Sequence, residues 1–309
     1  ENAGTATVSG DSTLKVNKLT GEAIRILDGA TISDSSVNGA VDLTTGTINF
    51  AGTNAFTGGM LSAGYYNYGD DLTVNITGDF TASNMVAWGG NDSKTVVNIG
   101  SEDARTTYNG GTIGSFYGDT NINITNTDVE YHYIYIQGNL NVSDSTLQII
   151  DNGVNTYFRT GSADHRIAID NTTWNAGSFT NMGSYDAATA SGSAIVDITG
   201  GSTFNSGNFT LTTTEGTNHV VALTVDNSTL NATTAFKVGA GTSASFKNGA
   251  VLNAASVTNA GTFTADNATI TAETFDHKGS VATFTNVDLD VTNFVNGTGN
   301  GDAYALIGG

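Results

Sequence analysis

This chain of 309 residues contains no proline and no cysteine, and Asp, Glu, Lys and Arg together reach only 13%. Without cysteine there can be no disulfide scaffold, thiolate metal site, iron–sulfur cluster or cysteine nucleophile. No apolar run approaches the ~18 residues of a membrane span, so membrane insertion is not expected. No basic, apolar leader opens the chain, which is expected to be a mature product or an excised segment. Cations are scarcest of all, with 10 Lys and Arg against 29 Asp and Glu for a net charge of −19. Such a chain repels phosphate backbones and anionic lipid, which excludes nucleic acid as a partner. The basic residues stand singly, as at Lys94, Arg105 and Lys237, and form no array to grip an acidic polysaccharide.

Gly, Thr and Asn fill the space, at 39, 49 and 34 residues. Disordered chains favour Pro, Glu and Lys; this one instead carries short alternating runs of Val, Ile, Thr and Phe bounded by Gly, Asn and Asp. The alternation has period two, which predicts strands, and no stretch sustains a helical apolar face.

The strands repeat. Leu223-Thr-Val-Asp-Asn-Ser-Thr-Leu-Asn231 is matched by Ile167–Asn175, Leu140–Gln148, Phe263–Thr271 and Val41–Asn49. Each reads apolar, polar, apolar, then a polar corner, then Thr, an apolar residue and a polar one. About thirteen copies align, spaced from roughly 16 to 33 residues. The last apolar residue before the corner forms one column: Val8, Leu27, Leu43, Ile76, Ile99, Ile124, Val142, Ile169, Ile198, Val225, Phe246, Ala265 and Phe284. The apolar residue after it forms a second, including Leu14, Ile32, Ile48, Val129, Leu147, Trp174, Phe204 and Leu230, with breaks near Thr81 and Ala104.

A constant corner with variable spacing predicts an all-β chain: a single-stranded, right-handed parallel β-helix (β-solenoid) of about 13 irregular coils. Like residues then stack at about 4.8 Å per coil, giving a rod about 60 Å long. Insertions leave the coil as loops, and proline is disfavoured where a strand donates on both sides. One continuous solenoid is expected over residues 1–309, with longer loop insertions in 50–220 and more regular coils in 221–309. A propeller blade of roughly 40 residues is too long for this period.

These corners, with the Thr/Asn/Gly/Ala bias and the missing Pro and Cys, resemble the passenger regions of autotransporters and related adhesins. The pattern includes neither the translocator barrel nor the protease module of that family. The resemblance implies a right-handed parallel β-helix displayed on, or released from, a Gram-negative cell.

A β-helix can carry an active site on one face, using paired carboxylates or a basic proton abstractor. The local candidates are Asp70-Asp71 and Asp164-His165-Arg166, with Asp170 nearby; each also reads as a solvated loop or turn. Gly10-Asp11-Ser12 is simply the first corner. His132, His165, His219 and His277 share no ligand spacing, and Gly89-Gly90-Asn91-Asp92 is a single fragment of a calcium roll, so no metal or other cofactor is expected. The Thr file Thr13, Thr31, Thr47, Thr146, Thr173, Thr203, Thr229 and Thr269 is read as an outward hydroxyl ladder. Thr-x-Thr, the pattern of an ice-binding face, recurs in only one copy, at Thr269.

Aromatic residues are the remaining signal. Tyr65, Tyr66 and Tyr68 lie in a Gly-rich gap, Trp88 in the next, and Tyr131, Tyr133 and Tyr135 alternate along one strand. Trp174 and Phe204 belong to the core column. Rings beside Asn and Asp suit a neutral sugar or a protein surface. The chain is therefore expected to be a non-catalytic, secreted or cell-surface adhesin-type or structural module that presents loops to a glycan or a protein. The alternatives are an extracellular filament or sheath subunit stacking end to end with itself, and a polysaccharide lyase or hydrolase.

Overall fold

The computed structural model describes residues 6–8, 13–14, 19–65, 70–89, 93–116, 119–150, 155–160, 164–184, 192–213, 219–278, 281–297 and 304–308. Tyr66 and Tyr68, the Gly10-Asp11-Ser12 corner and Gly90-Asn91-Asp92 lie outside them. The chain is an all-β parallel β-solenoid, and no helix occurs among the described residues. It divides into two compact units, residues 1–150 and 151–309.

In the first unit a short strand of each coil pairs in parallel with the short strand of the next. Gly46–Ala51, Leu72–Ile76, Lys94–Gly100, Asp119–Thr125 and Asn139–Ser143 run in register. Inward Ile48, Val74, Val97, Ile122 and Leu140 form one column, and Phe50, Ile76, Ile99, Ile124 and Val142 the next. A corner leads into a longer strand such as Phe80–Trp88, which bends midway and so supplies two further faces of the coil. The second unit repeats this plan with Ser193–Thr199, Val220–Asp226, Thr242–Lys247, Thr262–Asp266 and Val281–Thr285 as short strands. Its long strands run from Thr203–Leu211 to Asp288–Asn296. In Thr229–Val238 the bend is plain in the burial: Leu230 and Ala232 point inward, Thr233 and Thr234 are exposed, and Phe236 and Val238 return to the core.

The corner has a definite conformation. Asp34, Asn126, Asp144, Asn171, Asn227, Asn248, Asn267 and Asn286 all take positive φ, between 44° and 56°. Asn and Asp tolerate that left-handed region better than other non-glycine residues. At five of these corners the next residue, Ser35, Thr127, Ser145, Thr172 or Ser228, turns a hydroxyl inward. Ser228 Oγ donates to the Asp226 carbonyl at 2.9 Å and accepts the Ser202 N–H at 3.1 Å. Ser202 Oγ in turn accepts the Thr172 N–H, and Ser145 Oγ accepts that of Thr127 in the first unit. These buried hydroxyls satisfy the amides that the turn leaves unpaired.

Outside, the stacked side chains are amides. Asn75, Asn98, Asn123 and Asn141 each donate Nδ2 to the Oδ1 of the Asn one coil earlier, starting from Asn49, at 2.8–2.9 Å. The second unit has the ladder Asn175, Asn205, Asn231 and Asn253. The sequence placed a Thr hydroxyl ladder beside this position; the amide, with both donor and acceptor, is the group that links coil to coil. Thr146, Thr203, Thr229 and Thr269 do face outward after the corner, half-buried.

Within each unit the columns hold from Ile76 onward, as Ile76–Ile99–Ile124–Val142 in the first, and as Ile198–Val225–Phe246–Ala265–Phe284 and Trp174–Phe204–Leu230–Leu252–Ile270 in the second. The first three copies are corrected. Val8 pairs with Ile26, Ile26 with Leu43 and Leu43 with Ala63, each at the end of its strand, and Ile26, Leu43 and Ala63 end long ones. The pre-corner residues there are Leu14, Ile32 and Phe50. The expected breaks in the second column are filled by Phe80 and Tyr108, which pair with each other and lead on to Val129. Aromatic rings thus occupy the interior of both units. Phe50, Phe56, Phe80 and Tyr108 pack at 5.2–5.9 Å in the first. Trp174 begins a run through Phe204, Phe209, Phe236 and Phe263 in the second. Gly110 faces the Tyr108 ring, which occupies the place a Cβ would take.

Candidate binding surface

The third face of the first unit carries the aromatic signal. Alternation turns Met85 and Ala87 inward and Trp88 outward at the end of Phe80–Trp88. One coil on, Phe116 occupies the paired position. Tyr133 and Tyr135 come next, outward on Tyr133–Ile136, with Ile134 and Ile136 inward. Trp88 and Phe116 stack at 5.0 Å and 25°, Phe116 and Tyr135 at 4.9 Å and 25°, and Tyr135 and Tyr133 at 6.3 Å and 15°. Tyr65, 51% exposed, meets Trp88 edge-on at 4.8 Å and 71°.

The result is a file of outward rings crossing successive coils. Register makes it possible: Gly114, paired with Tyr135, has no side chain, and the Phe116 ring lies against the space a Cβ would fill. The Tyr135 hydroxyl accepts a hydrogen bond from Gln137 Nε2 at 2.8 Å. His132 beside it is exposed. The ring faces of Trp88 and Phe116 are turned toward one another, so the file offers edges and Tyr hydroxyls outward.

Of the residues singled out from sequence, Tyr65, Trp88, Tyr133 and Tyr135 are brought together here. Tyr131 is corrected: it is 0% exposed, because it precedes the bend at His132, where parity reverses and the ring turns inward. Phe116 is the residue sequence reasoning missed. A signal was present, since Trp88 and Phe116 each end a long strand and are followed by a glycine within two residues, in Trp88-Gly89 and Phe116-Tyr117-Gly118.

Three of the carboxylate candidates, Asp71, Asp164 and Asp170, are engaged in the scaffold. Asp71 Oδ1 accepts the Lys94 N–H at 2.8 Å, and Asp70 is exposed beside it. Asp164 accepts from Ser193 Oγ at 2.8 Å and Asp170 from Thr199 Oγ1 at 2.9 Å. Arg166 pairs with Asp197 at 2.7 Å, on the outer side of a strand whose His165 points inward. His219 and His277 are buried too. No three His, Asp or Glu side chains converge as a metal site among the described residues. Tyr108 is wholly buried, and burial pushes its phenol well above the ordinary range.

Comparison with protein-family models, with characterised proteins and with solved structures finds no match for this chain. The functional reading therefore rests on the solenoid and its surface.

Proposed function

We propose that the chain is a non-catalytic module of the autotransporter-passenger kind, secreted or held at the surface of a Gram-negative cell, that binds an extracellular protein through the aromatic file of its first unit. One observation carries this reading: Tyr65, Trp88, Phe116, Tyr135 and Tyr133 form a single outward row. Tyr65 is exposed and the other four rings are half-buried, so the row presents partly uncovered aromatic surface, and a contiguous patch of that kind marks interaction sites. A neutral sugar stacks on a free ring face, whereas Trp88 and Phe116 turn their faces to each other. Edges and hydroxyls suit a protein surface, where aromatic anchors dominate binding. The net charge of −19 disfavours nucleic acid and acidic glycans as partners. The outward carboxylates serve as turn and ladder acceptors, which supports a scaffold role over a catalytic one.

The test is a binding screen against immobilised extracellular-matrix proteins alongside a neutral glycan array, using wild type and the variant Trp88→Ala/Phe116→Ala/Tyr135→Ala. Protein binding that falls at least tenfold in the variant, with an unchanged far-UV circular dichroism spectrum, is the expected outcome. Binding that survives loss of the rings removes the file from the account. The chain's two tryptophans, Trp88 and Trp174, fall one in each unit, and Trp174 is fully buried. A Trp174→Phe variant therefore leaves Trp88 as a local reporter, whose emission should shift on binding.

A further inference from the structure

Tyr65, Trp88, Phe116 and Tyr135 stand on four successive coils of the first unit, since Ala63 pairs with Ala87, Trp88 with Phe116 and Gly114 with Tyr135. Neighbouring rings lie 4.8–5.0 Å apart. Coils rise about 4.8 Å each, so alternate rings recur about every 9.6 Å along the stack. The strands that follow these rings begin with exposed charge. Asp70 and Asp71 precede Leu72–Ile76, Lys94 heads Lys94–Gly100, and Asp119 heads Asp119–Thr125 three residues beyond Phe116. Lys94 pairs with Asp119, and its N–H bonds to Asp71, so these side chains form one column with three carboxylates to one ammonium.

We propose that the segment of the partner seated on the file is proline-rich and basic, held in the polyproline II conformation and lying along the stack; this rests on the reading of the file as a protein-binding surface. That helix has three residues per turn and rises about 3.1 Å per residue, so side chains on one of its sides recur about every 9.3 Å. A proline on Trp88 therefore has its equivalent, one turn later, on Tyr135. The helix leaves its backbone carbonyls without internal partners, and the Tyr133 and Tyr135 hydroxyls are donors of the kind they need. Proline is already fixed in φ, so docking costs it little conformational freedom. The other common modes fit less well. An added strand needs an open edge, whereas Phe80–Trp88 is paired on both sides, with Asn54–Ala63 and Thr106–Phe116. A helix lies in a groove, and these rings form a single row. The chain has no proline, so such a segment comes from another molecule. Basic residues between its prolines meet the carboxylate column, and the net charge of −19 draws them in.

Two synthetic peptides test this, one of four Pro-Pro-Lys repeats and one of four Ala-Ala-Lys repeats, which carry the same charge. Each is titrated into the Trp174→Phe chain while Trp88 emission is followed. The proline peptide should shift the emission and bind at least tenfold more tightly than the alanine peptide. Adding Phe116→Ala/Tyr135→Ala keeps the reporter and should weaken the proline peptide at least tenfold, with an unchanged far-UV circular dichroism spectrum. Asp70→Asn/Asp119→Asn should weaken it severalfold in dilute buffer, a difference that about 0.5 M salt should erase. Equal binding of the two peptides overturns the proposal, as does a proline peptide indifferent to the rings. A carboxylate variant that binds like the parent chain overturns the basic character of the segment. If extracellular-matrix proteins bind through the rings while neither peptide does, the file still binds protein and the polyproline II segment is wrong. If no binding depends on the rings, both readings fall.

Discussion

Asn227 sits at a corner with φ of 47°, and seven other Asn or Asp residues do the same at theirs. A β-branched side chain in the left-handed region costs about 1–2 kcal/mol. Asn227→Val should therefore lower stability by about that amount, while Asn227→Gly should stay within about 1 kcal/mol of wild type, as read from urea midpoints. Tyr108 is the opposite case, a residue whose polar atom is a burden. Its hydroxyl is buried without a hydrogen-bond partner among the described residues. Tyr108→Phe keeps the stack on Phe80 and should stabilise the fold by about 1 kcal/mol. The pH dependence has a definite sign. Burial raises the folded phenol above its unfolded value near 10, so the stability it guards is intact below about pH 10 and lost as pH climbs beyond it. The advantage of Tyr108→Phe over wild type should widen between about pH 9 and about pH 11.

Among elements, the corner was the part most legible in the sequence. Asp-Asn-Ser-Thr and its variants are bound to one backbone conformation, so from Ile76 onward the pre-corner residues read from sequence are those that stack. The early copies went astray for a physical reason. A coil turns more than once, and Val41-Asp-Leu-Thr-Thr-Gly-Thr-Ile-Asn49, which joins the end of a long strand to the next short one, has the same alternation on either side of a polar turn. Both turns even hold a left-handed residue, Gly29 and Gly46 in the one and Asp34 and Gly52 in the other, so local sequence does not tell them apart. The aromatic file was half legible for a related reason. Parity reverses at each bend, so Tyr131 and Tyr133 look equivalent in sequence and face opposite ways. Phe116 joins Trp88 through register between coils, which one sequence does not print. The same cross-coil logic governs Arg105, which reaches two later coils. It pairs with Asp128 through Nε at 2.9 Å and donates to the Asp144 carbonyl at 2.8 Å and to Thr146 Oγ1 at 3.0 Å. The hydrogen bond from Arg105 holds the Asp128 carboxyl below its usual range. What the pair contributes is present above about pH 4 and lost as pH falls through the lowered value. The stability gap between wild type and Arg105→Met should narrow on acidification below about pH 4 and in high salt, as both groups lie in solvent.

For the whole molecule, two kinds of feature occur in one chain. The aromatic file is a fixed patch, built from five residues of the first unit that register brings together. The interior columns are generic, shared by the coils of each unit. Mutations should separate them: loss of the outward rings should cost the file's partner and leave the urea midpoint near that of wild type, whereas Leu230→Ala in a column should lower stability by about 2–5 kcal/mol.

The left-handed corner has one more consequence. Asn227 and Asn248 hold the same conformation 21 residues apart, with φ of 47° and 56°, and what leaves each is a strand entering the same columns. Residues 227–247 therefore begin and end at equivalent points, and their removal would bring Asp226 to Asn248 with every later column still aligned. The coil is thus the natural quantum of length for this chain: a gene encoding it can lengthen or shorten by whole turns while the cross-section, and the chemistry of each face, stays the same.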